Sequence, residues 1–176
     1  MNTRWLTPDE LSAWIRFASI LELLPGALDA QLRHDADLSH FDYRVLSLLS
    51  ETEGHTMRMS YLARLTNSTL PRLSHVVRRL EGHELLQREP CPDDKRAYLA
   101  HLTESGLQKV KETAPGHVSA VRENVLDALS AEQVQQLGEI SARILDRVDP
   151  EGQRHSISGR QHHEEGTDSP ATPFQQ

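Results

Sequence analysis

The feature that most constrains this chain is the way residues 60–102 are punctuated. Ser60 opens a short stretch, Tyr61 to Leu65, that puts Leu62 and Leu65 on one helical face. Thr66-Asn67-Ser68 then interrupts it with turn-forming side chains. A longer helical stretch runs from Thr69 to about His83, with Ser68 as the expected cap. Pro71 falls in its first turn, where a missing N–H costs little. Leu70, Leu73, Val77 and Leu80 make the apolar seam, and Arg72, His75, Arg78 and Arg79 occupy the opposite face. Leu85–Glu89 and Ala97–Leu102 read as strands joined across the turn-rich Pro90-Cys91-Pro92-Asp93-Asp94-Lys95-Arg96. Two helices joined by so short a turn, with a hairpin directly after them, define a helix-turn-helix carrying a β-hairpin wing.

Longer helices flank this centre. Thr7 caps a helix from Pro8 to about Arg33, with Asp9 and Glu10 at its positive end. Leu11, Trp14, Ile15, Ala18, Leu21, Leu28 and Leu32 recur at helical spacing along it, and Pro25 predicts a kink or short break. Ser39 and Asp42 cap a second helix, His40 to Glu51, and Thr56–Met59 is a short extended piece. After the wing, a helix is expected from Thr103 to about Leu129, with a second kink at Pro115-Gly116. Ser130 and Gln133 form a capping box for a last helix, Ala131 to Val148. From Pro150 onward apolar periodicity ends, and a disordered tail is expected.

The expected fold is therefore mainly α with a small β-hairpin wing. Residues 1–38 form an N-terminal dimerisation helix, 39–102 the winged helix-turn-helix, 103–149 the C-terminal dimerisation helices and 150–176 the tail. The end helices carry more apolar surface than one small winged domain can cover, which predicts a partner chain.

The net charge of −7 argues at first against a nucleic-acid partner. Its distribution argues the other way. Residues 56–102 carry eight Arg/Lys against five Asp/Glu, a local charge of +3, while every other stretch is acidic. Exposed charges are screened beyond roughly 8–10 Å, so a basic centre in an acidic frame can still hold phosphate. No apolar stretch is read as approaching the roughly 20 residues that span a bilayer, and no signal-type run follows Arg4. A cytoplasmic protein without a membrane partner is expected. Gly-rich phosphate loops, Gly-x-Ser-x-Gly and His-Glu-x-x-His are all missing from the sequence, so no enzyme is expected.

The chain resembles the multiple-antibiotic-resistance regulator (MarR) family over about residues 5–148. Leu85 through Ala97 is similar to that family's wing, with Asp94-Lys95-Arg96 as its Asp-x-Arg. Leu102-Thr103-Glu104-Ser105-Gly106 matches its Leu-Thr-x-x-Gly, and Arg72 through Glu81 its recognition helix. The resemblance implies a homodimer with interlocked first, fifth and sixth helices, each chain reading half of a pseudo-palindromic operator in double-stranded DNA. The two reading helices would then lie about one DNA turn, ~34 Å, apart. It also implies that Arg96 enters the minor groove from the wing, where narrow A·T-rich segments favour arginine. Asp94 would support the wing by orienting an arginine, Arg78 or Arg79. Ser68 and Thr69 can donate to phosphate or a base edge, Arg72 can bind guanine through two hydrogen bonds, and His75 can add a weaker contact. Lys95 adds charge at the wing, and Arg88 either meets phosphate or pairs with an acidic neighbour. Leu70 and Pro71 are unusual near a reading helix and leave the base sequence open.

Regulation is less legible. Trp14, Phe17, Leu21, Phe41, Tyr43 and Leu46 could line a cavity between the dimerisation helices and the winged domain, where relatives hold aromatic effectors. Core packing explains most of them, and Tyr43 is the best candidate because its hydroxyl is a polar handle on an apolar wall. Trp14 and Phe17 would supply the rest of the wall. The expected function is a sequence-specific dimeric repressor released by a small aromatic effector. The alternatives are a zinc-responsive regulator and a winged-helix protein-interaction module that binds no DNA. His34, Asp35, Asp37 and His40 lack the spacing of a recognised zinc motif, and His162-His163-Glu164-Glu165 falls in the expected tail, where such a cluster is solvated, so no metal ligand or cofactor is assigned. Cys91, the single cysteine, sits among opposing charges in the wing, whereas oxidation-sensing relatives carry theirs near the first helix.

Overall fold

The computed structural model describes residues 3–92 and 94–150, and of Lys95 the backbone alone. It is helical with one small sheet. Helix α1 spans Pro8–Ala36, α2 His40–Ser50, α3 Met59–Leu65, α4 Leu70–Gly82, α5 Glu104–Asn124 and α6 Ala131–Val148. Strands β1 (Thr56–Arg58), β2 (Leu86–Cys91) and β3 (Asp94–Leu102) form an antiparallel sheet in the order β1-β3-β2. The extended piece before α3 is thus a sheet edge, pairing Met57 with Ala100 as Arg88 does from the other side. The expected tail and its His162-His163 cluster lie outside the described residues.

Local chemistry sets the helix starts. Thr7, Ser39 and Ser130 each accept the N–H three residues on, while Glu10, Asp42 and Gln133 reach back to the cap N–H. Thr69, not Ser68, caps α4, accepting the Arg72 N–H at 3.4 Å. Ser60 lies inside α3 rather than capping it. Neither Pro25 nor Pro115 breaks its helix. The carbonyls they leave unpaired belong to Leu21 and Lys111, both exposed, so water can bind them. The break after α5 comes later, at Val125 (φ −132°, ψ −61°), followed by a 3₁₀ turn over Leu126–Ala128.

One core holds the winged unit together. Leu32 of α1, Val45, Leu46 and Leu49 of α2, Leu62 and Leu65 of α3, Leu73, Val77 and Leu80 of α4, Leu86 of β2 and Val110 of α5 are all fully buried. Leu70 is not among them: it is 46 % exposed, and Val76 takes its place in the α4 seam. The Leu-Thr-x-x-Gly segment fastens the wing to α5. Thr103 caps α5 through Gly106 N–H, and its hydroxyl donates to the Glu84 carbonyl at 2.7 Å. Its N–H donates to the Leu85 carbonyl at 3.2 Å. Gly106 is required here by close approach, because a Cβ would stand 2.1 Å from the Leu85 carbonyl oxygen.

The ends of the molecule behave differently. No residue of α6 is buried, and Val134, Leu137, Ile140, Ile144 and Val148 make an exposed apolar stripe. The first half of α1 likewise exposes Leu11, Trp14, Ile15, Ile20, Leu21 and Leu23. The expectation that no segment is apolar enough to span a bilayer needs correction. By length and composition α1 qualifies, since over residues 11–28 only Arg16 and Glu22 are charged.

Candidate nucleic-acid interface

Helix α4 sorts its polar side chains by angle. Leu73, Val76, Val77 and Leu80 face the core. At about 100° per residue, Pro71, His75 and Arg78 fall at the centre of the opposite, exposed face. No hydrogen bond or ion pair engages His75 or Arg78 among the described residues. Arg72 and Arg79 lie to one side, towards α2. The Arg72 guanidinium sits over the Phe41 ring, 4.8 Å from its centroid. Arg79 donates to Asp42, whose carboxylate is almost wholly buried and also accepts the Ser39 N–H. The four cationic or imidazole side chains are therefore two kinds: two held against α2, two projecting.

The turn before α4 is tightly specified. The buried Thr66 hydroxyl donates to the Leu62 carbonyl at 2.8 Å, and Asn67 takes a left-handed conformation (φ 51°). The Ser68 N–H returns to the Ala63 carbonyl at 2.9 Å, which leaves Ser68 half-buried and Thr69 exposed at the helix tip. Arg44 braces the same turn through the Leu65 carbonyl.

The carboxylate beside Arg79 is Asp42 of α2, not Asp94 of the wing as expected. Asp94 Oδ1 instead accepts the Arg96 N–H at 2.9 Å, a bond within the hairpin turn, and Arg96 is exposed. Arg88 takes the second of its two expected roles. Its Nε donates to Glu81 at 2.7 Å and its backbone N–H to the same carboxylate at 2.9 Å, tying β2 to the end of α4. Cys91 is buried at the end of β2. Lys95 lies on β3 between Asp94 and Arg96. A hollow of about 200 Å³ separates the wing from α4, lined among others by Ser60, Leu70, Ser74, Arg96 and Tyr98. Ser60, Ser74 and Tyr98 were not expected at this surface from the sequence. For Tyr98 a signal existed, since strand alternation from Arg96 puts it on the same face.

The expected effector wall is not assembled within the chain. Trp14 and Phe17 touch each other on the exposed half of α1, with ring centroids 6.4 Å apart. Tyr43 is buried 4.7 Å from the His117 ring of α5. His117 neighbours Gly116, which lies against Gln31 of α1. Seventeen residues of helix separate Gln31 from Trp14, roughly 25 Å at ~1.5 Å per residue. Around Tyr43 the structure instead collects polar atoms. Tyr43 Oη, His117 Nδ1 and Gln31 Oε1 are all buried with no hydrogen-bond partner among the described residues. Burial, then the charge of Glu51, pushes the Tyr43 hydroxyl up to about 12. Burial also lowers His117 and His40, whose rings lie 6.0 Å apart, with His40 opposing His117 and Arg44 opposing His40. Among the described residues no cluster of three or more His, Cys, Asp or Glu could hold a metal.

A winged helix-turn-helix in which a hairpin follows α4 directly is a defined class of fold. The sequence pattern of the MarR family matches residues 38–98. The chain is 42% identical to Sco3205, a MarR family transcriptional regulator from Streptomyces coelicolor solved in complex with DNA. That match covers 85% of this chain and 93% of the other, with a TM-score of 0.80. AbsC, a MarR family regulator from the same organism, is 39% identical over 83% of this chain and 98% of its own, with a TM-score of 0.77. The transcriptional repressor YetL of Bacillus subtilis is 28% identical over 61% of this chain and 66% of its own length. The regulator MhqR of the same species is 33% identical over 41% and 49%. The chain spans 66% and 49% of the length of these two Bacillus relatives. It belongs to the MarR family of transcriptional regulators, and as such it is a regulator rather than an enzyme.

Proposed function

We propose that the chain is a dimeric, sequence-specific DNA-binding repressor that acts in the cytoplasm. The observation that carries the reading is the projecting face of α4, with His75 and Arg78 at its centre, beside a hairpin that leaves Arg96 exposed. A major groove about 12 Å wide admits such a helix, and the wing can then reach the adjacent minor groove. In this arrangement Arg78 and His75 meet base edges or phosphate. Thr69 and Ser68 sit at the helix tip, and Lys95 and Arg96 serve the wing. Arg72 and Arg79 act from the α2 side, where their internal partners hold them in position. Arg88 acts through Glu81 by fixing the wing.

Dimerisation is supported by the apolar stripes of α1 and α6 and by the groove of about 460 Å³ between them, lined by Ile20, Leu23, Leu24, Val125, Leu129 and Leu137. A second copy is the partner whose matching faces would cover them. The helix that meets the length of a membrane span is on this reading an interface helix. Residues 1–38 and 103–149 then make the platform and 39–102 the reading unit.

The test combines sedimentation with a salt titration of binding to duplex DNA. A dimer whose log affinity falls linearly with log salt supports the proposal, since each phosphate neutralised adds about 0.9 to the slope. A chain that binds no duplex at low salt would be the protein-interaction module instead.

A second reading concerns release. The unpartnered Tyr43, His117 and Gln31 atoms favour a small aromatic effector carrying its own polar groups, bound where α1, α2 and α5 meet. Calorimetry with hydroxybenzoates, with and without operator, tests it. Coupling is reciprocal, so equal affinity in both states refutes the effector role.

A further inference from the structure

We propose that Leu70 is a specificity residue of the reading helix and seats the C5-methyl group of a thymine in the major groove. The inference rests on the DNA-binding reading above and goes beyond it.

Leu70 is the first residue of α4, and Pro71 is the second. The core does not need Leu70: Leu73, Val76, Val77 and Leu80 complete the buried seam, and Leu70 remains 46 % exposed. Cα–Cβ bonds in a helix tilt towards its N-terminus, so a long side chain at the first position projects ahead of the helix. The N-terminal residues of a reading helix are those that meet base edges. This protein therefore leads into the groove with an apolar tip, Leu70 followed by the exposed Pro71. Among the groups that base pairs show in the major groove, hydrogen-bond donors and acceptors gain nothing from leucine. The thymine methyl is the apolar exception. The hollow beside Leu70 adds shape: Tyr98 and Ala97 of the wing form its far wall, with Ser74 one helical turn along from Leu70. A donor-bearing residue at the tip would read guanine or adenine, whereas Leu70 excludes them by leaving their polar edges unpaired.

Burying one methyl is worth about fourfold in affinity, so two half-sites give about fifteenfold. The test starts from an operator selected out of random duplex by the full-length protein. Each thymine is replaced in turn by deoxyuridine, which removes the methyl and keeps the Watson–Crick edge. The expected result is one position per half-site at which uridine costs about fourfold with wild type and nothing with Leu70→Ala. Leu70→Met, which keeps an apolar tip, should retain most of the uridine effect. Because Leu70 is half-exposed, both variants should melt like wild type. Three results overturn the proposal: no uridine-sensitive position; a sensitive position that survives unchanged in Leu70→Ala; or a uniform loss over all sequences in Leu70→Ala, which would make Leu70 a backbone contact. Failure to bind any duplex would instead defeat the DNA-binding reading itself, together with this one.

Discussion

Replacing Gly106 by alanine should destabilise the protein, although helix propensity alone predicts the opposite. Gly106 lies in the first turn of α5, where alanine normally gains about 1 kcal/mol over glycine. Here the added Cβ would stand 2.1 Å from the Leu85 carbonyl oxygen and 2.7 Å from Leu102 Cδ1. The first of these is backbone, so the wing base must move away from α5. Overpacking of this kind costs about 1–3 kcal/mol. The movement also strains the Thr103 hydrogen bonds to Leu85 and Glu84, each worth about 1 kcal/mol. The net expectation is a loss of about 2–4 kcal/mol after subtracting the propensity gain. For a chain of this size that lowers Tm by roughly 5–15 °C. Urea denaturation gives the same quantity at fixed temperature. Gly82→Ala is the control, because its Cβ meets nothing within 4 Å. It should be neutral or slightly stabilising. If Gly106→Ala melts at or above the wild-type temperature, the close approach between wing and α5 is not what requires glycine there.

Arg96→Ala should weaken duplex binding and lower the magnitude of its salt slope by about 0.9 for each phosphate that Arg96 neutralises, with the dimer unchanged in sedimentation; wild-type affinity across salt would refute the wing's role. Asp42→Asn should cost about 1–3 kcal/mol in urea denaturation, because the carboxylate is buried while Arg79 is only half-exposed and can recover part of its hydration. The same substitution should reduce sequence discrimination, since the α2 side of the reading helix loses its anchor. Stability should also fall on acidification: His40 and His117 are lowered from 6.5 by burial, so the unfolded chain binds more protons than the folded one below about that pH. Their contribution is complete above pH 6.5 and is lost progressively towards the lower folded values; melting between pH 5 and 8 checks this, and His117→Gln should flatten the curve.

Much of the architecture was legible because it follows from local rules. The Thr7 cap and the pairs Ser39–Asp42 and Ser130–Gln133 act over three residues, so they could be read directly and they start their helices as expected. The helix-turn-helix and hairpin were legible from periodicity and turn residues. Errors arose where two local signals competed. Ser68 and Thr69 can both cap a helix, and the choice depends on the Asn67 turn sending the Ser68 N–H back to Ala63. Pro25 and Pro115 looked like interruptions, yet Leu21 and Lys111, whose carbonyls they free, are exposed residues and the helices continue.

What the sequence by itself determined is the order of elements, the basic centre and the two apolar end helices. These follow from composition and spacing, which are properties of neighbours along the chain. The tertiary structure alone decided which arginines find a partner. Periodicity sets Arg72 and Arg79 to one side of Arg78, but only packing brings Phe41 and Asp42, some thirty or more residues away, against the first two and leaves Arg78 to solvent. The same holds for Arg88, claimed by Glu81, and for Asp94, turned towards the Arg96 backbone. It holds too for the three unpartnered polar atoms where α1, α2 and α5 meet. A helical pattern places a side chain on a face, but partners brought together by packing decide whether its charge is held inside the protein or offered to a ligand.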